Sequence, residues 1–131
     1  MPIRIFVVED ETDLLGYYVH ALTVAGYQVA GTAANGAEAL ARLEADPQRP
    51  DVIIMDHRMP VMNGLDATRV ILRQDPTAKI IFASADEKVE REARELGVLA
   101  FRKKPFSLQW LIRSIEDVVE ARTSAASATH R

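Results

Sequence analysis

Three segments of this chain are apolar almost without interruption and too short to be helices: Ile3 to Val8, Val52 to Met55 and Ile80 to Phe82. A strand with one wet face alternates apolar and polar residues, because successive side chains point to opposite sides. These runs do not alternate, so they need cover on both faces. The structure that provides it is a parallel sheet with helices packed above and below. That requirement narrows the fold more than any single motif does.

The segments between the runs supply the cover. Leu14, Leu15, Tyr18, Val19 and Leu22 recur at helical spacing, and Gly26 closes that helix. Tyr27 to Ala33 reads as a second strand, after which Asn35 caps a helix with Glu38 three residues on, the spacing of a capping box. Its inner face is Ala39, Leu40 and Leu43, and Pro47 and Pro50 mark the exit. The third strand, Asp51 to Asp56, gives way to a loop from His57 to Gly64 and then to a helix from Leu65 to Gln74. The fourth, Lys79 to Ser84, precedes a charged helix from Asp86 to Leu96 whose apolar stripe is only Val89, Ala93 and Leu96. Pairs at four-residue spacing, Glu87 with Arg91 and Glu90 with Arg94, are expected along that helix. Val98 to Lys103 is the fifth strand. Ser107 caps a last helix with Leu108, Leu111, Ile112, Ile115, Val118 and Val119 facing inward. Residues 123–131 have no apolar periodicity and read as a flexible C-terminal tail, leaving 1–122 as the domain.

Five strands alternating with five helices predict an α/β fold, a doubly wound (βα)5 parallel sheet of flavodoxin-like type with strand order 2-1-3-4-5. With 48% hydrophobic and 27% charged residues, 131 residues suffice for one core and one domain. Cysteine is absent, so disulfides and thiolate metal sites are excluded, in keeping with a cytoplasmic protein. No signal peptide or membrane-length apolar stretch is expected, and a net charge of −3 gives no general attraction for nucleic acid.

In such a sheet, ligands bind beyond the carboxyl ends of the strands, where strand order reverses. Glu9 and Asp10 end the first strand and Asp56 ends the third, its neighbour at about 4.8 Å. Carboxylates so close repel one another, and a hard divalent cation relieves the repulsion. Ser84 and Lys104 end the fourth and fifth strands, adding a hydroxyl and an ammonium to the same edge. Phosphoryl transfer needs little more: a placed nucleophile, a metal ion and donors for the phosphoryl oxygens.

The segments Val7-Val8-Glu9-Asp10-Glu11, Asn35-Gly36-Ala37-Glu38-Ala39-Leu40, Asp56 to Gly64 and Lys104-Pro105-Phe106 resemble, in order and spacing, the receiver domains of bacterial response regulators. The resemblance runs over about residues 3–121. It implies a two-component signalling switch, not an enzyme acting on other molecules. Asp56 would accept a phosphoryl group from a sensor histidine kinase, a histidine phosphotransfer protein or a small donor such as acetyl phosphate. Asp10, Asp56 and the backbone carbonyl of Arg58 would hold Mg²⁺ or Mn²⁺, with Glu9 acting through a water. Lys104 and Ser84 would contact the phosphoryl oxygens, and Phe101 would be the aromatic that swings inward on activation. The chain would catalyse only its own phosphorylation and dephosphorylation. The Lys104–Pro105 bond would be cis. The face of helix 4, strand 5 and helix 5 would meet a downstream protein target, an output domain or a second copy, with no direct contact to nucleic acid or membrane.

Two features depart from the family pattern. Arg102 stands where the family usually has an aliphatic residue. Arg58 and Asp86, two residues beyond Asp56 and Ser84, carry opposite charges that could close over the site.

A flavodoxin-like cofactor binder would need a phosphate cradle after the first strand, where Glu9-Asp10-Glu11 would repel phosphate. A haloacid-dehalogenase-type phosphatase would need a second Asp where Arg58 stands. The remaining alternative is a receiver-shaped interaction module that works without phosphorylation. At about 100° per residue, Trp110 projects roughly 140° from the inner stripe of the last helix. It is therefore expected to be partly exposed, near Arg102 and Phe101.

Overall fold

The computed structural model describes the backbone of residues 2–129 and the side chains of residues 2–120. The elements are β1 (Arg4–Val8), α1 (Thr12–Val24), β2 (Gln28–Ala33), α2 (Gly36–Ala45), β3 (Val52–Asp56), α3 (Gly64–Gln74), β4 (Ile80–Ser84), a 3₁₀ turn (Glu87–Val89), α4 (Glu90–Leu96), β5 (Ala100–Lys103) and α5 (Leu108–Thr129). The strands are parallel, in the order β2-β1-β3-β4-β5 expected from the alternation.

Every residue of β3 and β4 is buried, as their unbroken apolar runs require. On one face of the sheet α2, α3 and α4 cover Phe6, Val8, Ile53, Met55, Ile80, Phe82 and Phe101. On the other, α1 and α5 cover Ile5, Val7, Val52, Ile54 and Ile81. Alternation along each strand thus divides the apolar residues into two cores.

Several sequence expectations need correction. The apolar runs overreach the strands at their starts: Ile3, Tyr27, Asp51, Lys79, Val98 and Leu99 lie outside them. Those residues still serve the sheet's edge, as when Asp51 N–H donates to the Arg4 carbonyl at 2.8 Å and its carboxylate accepts from Arg4 N–H at 2.8 Å. The capping box at α2 is half formed. Asn35 accepts from Glu38 N–H at 2.9 Å, while the Glu38 carboxylate pairs with Arg42.

The charged helix is also shorter than expected. Asp86 caps a 3₁₀ turn through Lys88 N–H, and the α-helix proper has only seven residues. Glu90–Arg94 forms as expected, but Glu87 turns to Lys103 on β5, and Arg91 pairs with Glu95 instead. Gly97 ends α4 at φ 112°, a conformation that costs side-chain-bearing residues strain. At the other end of the chain the backbone stays helical to Thr129, through much of the segment read as a tail. Periodicity gave no reason to extend the helix, but Ala121, Ala125, Ala126 and Ala128 favour helix without needing a buried face. Residues 130–131 of that tail lie outside the described residues.

Candidate functional site

The β1–β3 pairing sets Val8 opposite Met55, so the residues that follow, Glu9 and Asp56, emerge side by side at the carboxyl edge of the sheet. One oxygen from each of Glu9, Asp10 and Asp56 lies within 4.8 Å of the others. Glu9 and Asp56 are only 2% and 6% exposed, and Asp10 is the most exposed of the three. Two carboxylates buried together need a positive partner. Lys104 provides it: Nζ donates to Glu9 Oε1 at 2.7 Å and to Asp56 Oδ1 at 3.2 Å.

The electrostatics follow from burial. Desolvation, reinforced by the Glu9 charge, pushes the Asp56 carboxyl up to about 7, while Lys104 pulls the other way without cancelling it. Burial also disfavours the charge on Lys104, but its bonds to Glu9 and Asp56 outweigh this and hold the ammonium above its ordinary pKa. An all-oxygen donor set at this spacing suits a small hard cation, since ligands bound at about 2.1 Å sit up to roughly 4.2 Å apart. A modest closure of the cluster would reach that limit.

The loop after Asp56 is built to bring the chain straight back into α3. His57 N–H donates to Asp56 Oδ1 at 2.9 Å, and the His57 carbonyl accepts from Gly64 N–H at 2.9 Å. A Cβ at position 64 would come within 2.0 Å of the Asp56 carbonyl, so only glycine lets α3 begin this close to β3. Val61, a β-branched residue, sits at φ 67° at the exposed tip of the loop. Asn63 caps α3 by accepting from Asp66 N–H at 2.9 Å.

Ser84 lies at the same edge, one residue past the Ala83 that pairs with Asp56. Its buried hydroxyl accepts from Asp86 N–H at 3.0 Å, and its carbonyl accepts from Lys104 N–H at 2.9 Å. Ser84 is thereby tied to Lys104 through the backbone and to the β4–α4 loop through its side chain. Arg58 reaches Asp86 at 3.7 Å, joining the two loops that flank the carboxylates. Phe101 is buried and stacks on Phe82, with ring centroids 5.8 Å apart and planes 13° from parallel. The Lys104–Pro105 peptide is cis.

Two residues near the site carry no sequence signal beyond a place on a helix face or in a loop. Tyr18, on the inner face of α1, stacks nearly parallel on Phe106, just beyond Lys104–Pro105. Burial pushes its phenol up to about 12. The His57 ring packs on Phe82 at 5.9 Å, and burial lowers its pKa. The i, i+4 pattern flagged Tyr18 as inward-facing, but nothing local pointed to Phe106, 88 residues away.

On the far side of β5, Trp110 is 57% exposed, and Leu99 is exposed with it. The Arg102 guanidinium lies 5.6 Å from the centre of the indole and bonds to the buried Ser114 hydroxyl. Arg102 therefore covers the part of α5 below Trp110, which is why a serine can be buried on the polar face of that helix.

The family described as the response regulator receiver domain matches residues 5–116. The chemotaxis protein CheY of Thermotoga maritima is 37% identical over 117 residues, 88% of this chain and 96% of that protein. The transcriptional regulatory protein PdtaR of Mycobacterium tuberculosis is 36% identical over 118 residues, 88% of this chain. The chain thus spans nearly all of the first relative but only 56% of the second. Among solved structures, the response regulator protein TrrA of Thermotoga maritima, in complex with Mg²⁺ and BeF, superposes with a TM-score of 0.80 at 28% identity, over 88% of this chain and 98% of that one. Among the described residues no helix is long and apolar enough to cross a membrane.

Proposed function

This chain belongs to the response regulator receiver domain family, and from that premise we propose that it is a phosphorylation switch whose acceptor is Asp56. The supporting observation is the meeting of Glu9, Asp10 and Asp56 within 4.8 Å, with the Lys104 ammonium bonded to two of them, at the reversal point of a parallel sheet. A solvated set of loop acids has no need of a half-buried lysine bonded to two of them.

In this reading Asp56, ionised, attacks the phosphorus of a phosphohistidine or of acetyl phosphate. A carboxylate oxygen–phosphorus bond forms as the donor's P–N or P–O bond breaks, and the electron pair leaves with imidazole or acetate. Mg²⁺ or Mn²⁺, held by Asp10, Asp56 and the Arg58 carbonyl with Glu9 behind them, would neutralise charge on the transferred group. Lys104 moves from the carboxylates to a phosphoryl oxygen. The Ser84 hydroxyl leaves Asp86 N–H to donate to another, drawing the β4–α4 loop inward, and Phe101 answers on β5. Reversal by water at Asp56 would end the signal.

The phosphodonor is a sensor histidine kinase or histidine phosphotransfer protein, and the setting is the cytoplasm. The output is a protein contact or a second copy of the chain rather than nucleic acid. The surface of α4, β5 and α5 suits this role, since Trp110 and Leu99 are exposed there around Arg102. Residues 1–122 are the working domain and 123–131 its C-terminal tail.

The test is direct. With Mg²⁺ and acetyl phosphate the chain should take up one acid-labile phosphate, and Asp56→Asn should abolish it. Equal labelling of the Asn variant would overturn the assignment. An unlabelled wild-type chain would favour an interaction module that works without phosphorylation.

A further inference from the structure

The sheet register sets three rings on one face. Met55, Phe82 and Phe101 are partners across β3, β4 and β5, and side chains two residues apart along a strand share a face. His57, one residue past the end of β3, therefore follows Met55 onto the face that holds Phe82 and Phe101. The contacts are continuous: His57 lies 5.9 Å from Phe82 with the rings tilted by 40°, and Phe82 lies 5.8 Å from Phe101 and nearly parallel to it. Phe82 is fully buried, and Phe101 nearly so.

At its other end the series is fastened to the carboxylate. The His57 N–H holds Asp56 Oδ1, and the His57 carbonyl holds the first N–H of α3. Nδ1 of the imidazole is buried with no hydrogen-bond partner among the described residues. Among the described residues the ring is thus placed by packing and not by a bond at Nδ1. Its described contact is the packing on Phe82.

We infer that His57 is a positioning residue that carries a change at the Asp56 carboxylate to Phe101 by way of Phe82. The inference rests on reading Asp56 as the acceptor. Close-packed side chains do not deform continuously; they pass between discrete arrangements. A phosphoryl group on Asp56 changes what Oδ1 accepts and so moves the His57 backbone. The attached ring shifts against Phe82, which must reseat against Phe101. A flexible aliphatic side chain at position 57 fills the space but absorbs the movement.

The full chain would carry 4-fluorophenylalanine at position 101 and be followed by ¹⁹F NMR without and with saturating Mg²⁺ and beryllium fluoride. Bound beryllofluoride gives its own ¹⁹F signal, so site occupancy and the response at Phe101 are read in one spectrum. In the wild type and in His57→Phe, which keeps a ring, the Phe101 resonance shifts to a similar extent. In His57→Leu at equal occupancy the shift falls to less than half, and His57→Met replaces that variant if it does not fold. A full wild-type shift in the aliphatic variant at full occupancy overturns the inference and leaves the acceptor reading intact. So does loss of the shift in His57→Phe, because the ring would then not be the active element. If the wild type binds no beryllofluoride, the acceptor reading fails and the inference with it.

Discussion

The helices on either side of β5 are built on opposite principles. α5 buries Leu111, Ser114, Ile115 and Val118 and packs Leu108, Ile112 and Val119 against the same core. α4 has seven residues, buries only Ala93, leans on Val89 and Leu96, and carries ion pairs along its outer surface. Local stability follows buried apolar contact, and exposed ion pairs add little. α5 is therefore fixed to the sheet, whereas α4 is held by little that a small rearrangement could not supply elsewhere. The loop that leads into α4 begins at Ser84, beside the carboxylates, and is fastened there by Asp86 N–H and by Arg58. The weakly anchored helix is thus tied to the site through Ser84 and Asp86.

The largest expected effect tests that contrast by mutation. Leu111→Ala should lower the unfolding free energy by about 3 kcal/mol, as truncation of a fully buried leucine does. Leu96→Ala, at a partly buried position, should cost about 1 kcal/mol. Urea denaturation measures both, and equal losses would break the comparison.

A second effect, smaller and dependent on pH, belongs to the acidic edge itself. The folded pKa of Asp56, about 7, lies above the value in an unfolded chain. For a group shifted upward, the stabilising contribution is complete below the unfolded pKa, roughly 4, and is lost as pH rises through the folded value. Without divalent cations, Asp56→Asn should therefore be more stable than the wild type at pH 8, as read from the urea midpoint. The advantage should vanish towards pH 4. Mg²⁺ should reduce it at pH 8 by favouring the ionised carboxylate. An advantage that grows on acidification would refute the burial argument.

The smallest effect sharpens the account of α4. The Glu87–Lys103 pair joins the 3₁₀ turn to β5 on the exposed surface. Glu87→Gln should change global stability by less than about 1 kcal/mol, as read from the urea midpoint. A loss as large as that of Leu111→Ala would mean that charge, not apolar contact, anchors this region.

Most of the architecture was legible in the sequence because it depends on short-range rules. Unbroken apolar runs in β3 and β4 called for cover on both faces, and the alternation with helical periodicity left one common strand order. The acids were legible for the same reason, since residues at the ends of neighbouring strands must meet. What escaped depends on partners distant in sequence. The choice of Glu87 between Arg91 and Lys103 is made by tertiary geometry, as is the stacking of Tyr18 on Phe106. The burial of Ser114 depends on Arg102 reaching over it from another strand. The helical backbone to Thr129 follows from alanine's propensity, a signal that a search for apolar periodicity passes over.

One measurement tests most directly whether the carboxylate edge and α4 form a switch: hydrogen exchange of the backbone amides, followed residue by residue with and without Mg²⁺ and beryllium fluoride. The account predicts faster exchange in α4 than in residues 111–118 of α5 before addition. It also predicts that beryllium fluoride changes protection in residues 84–96 and leaves 111–118 of α5 unaltered. Equal protection in both helices, unchanged on addition, would contradict it.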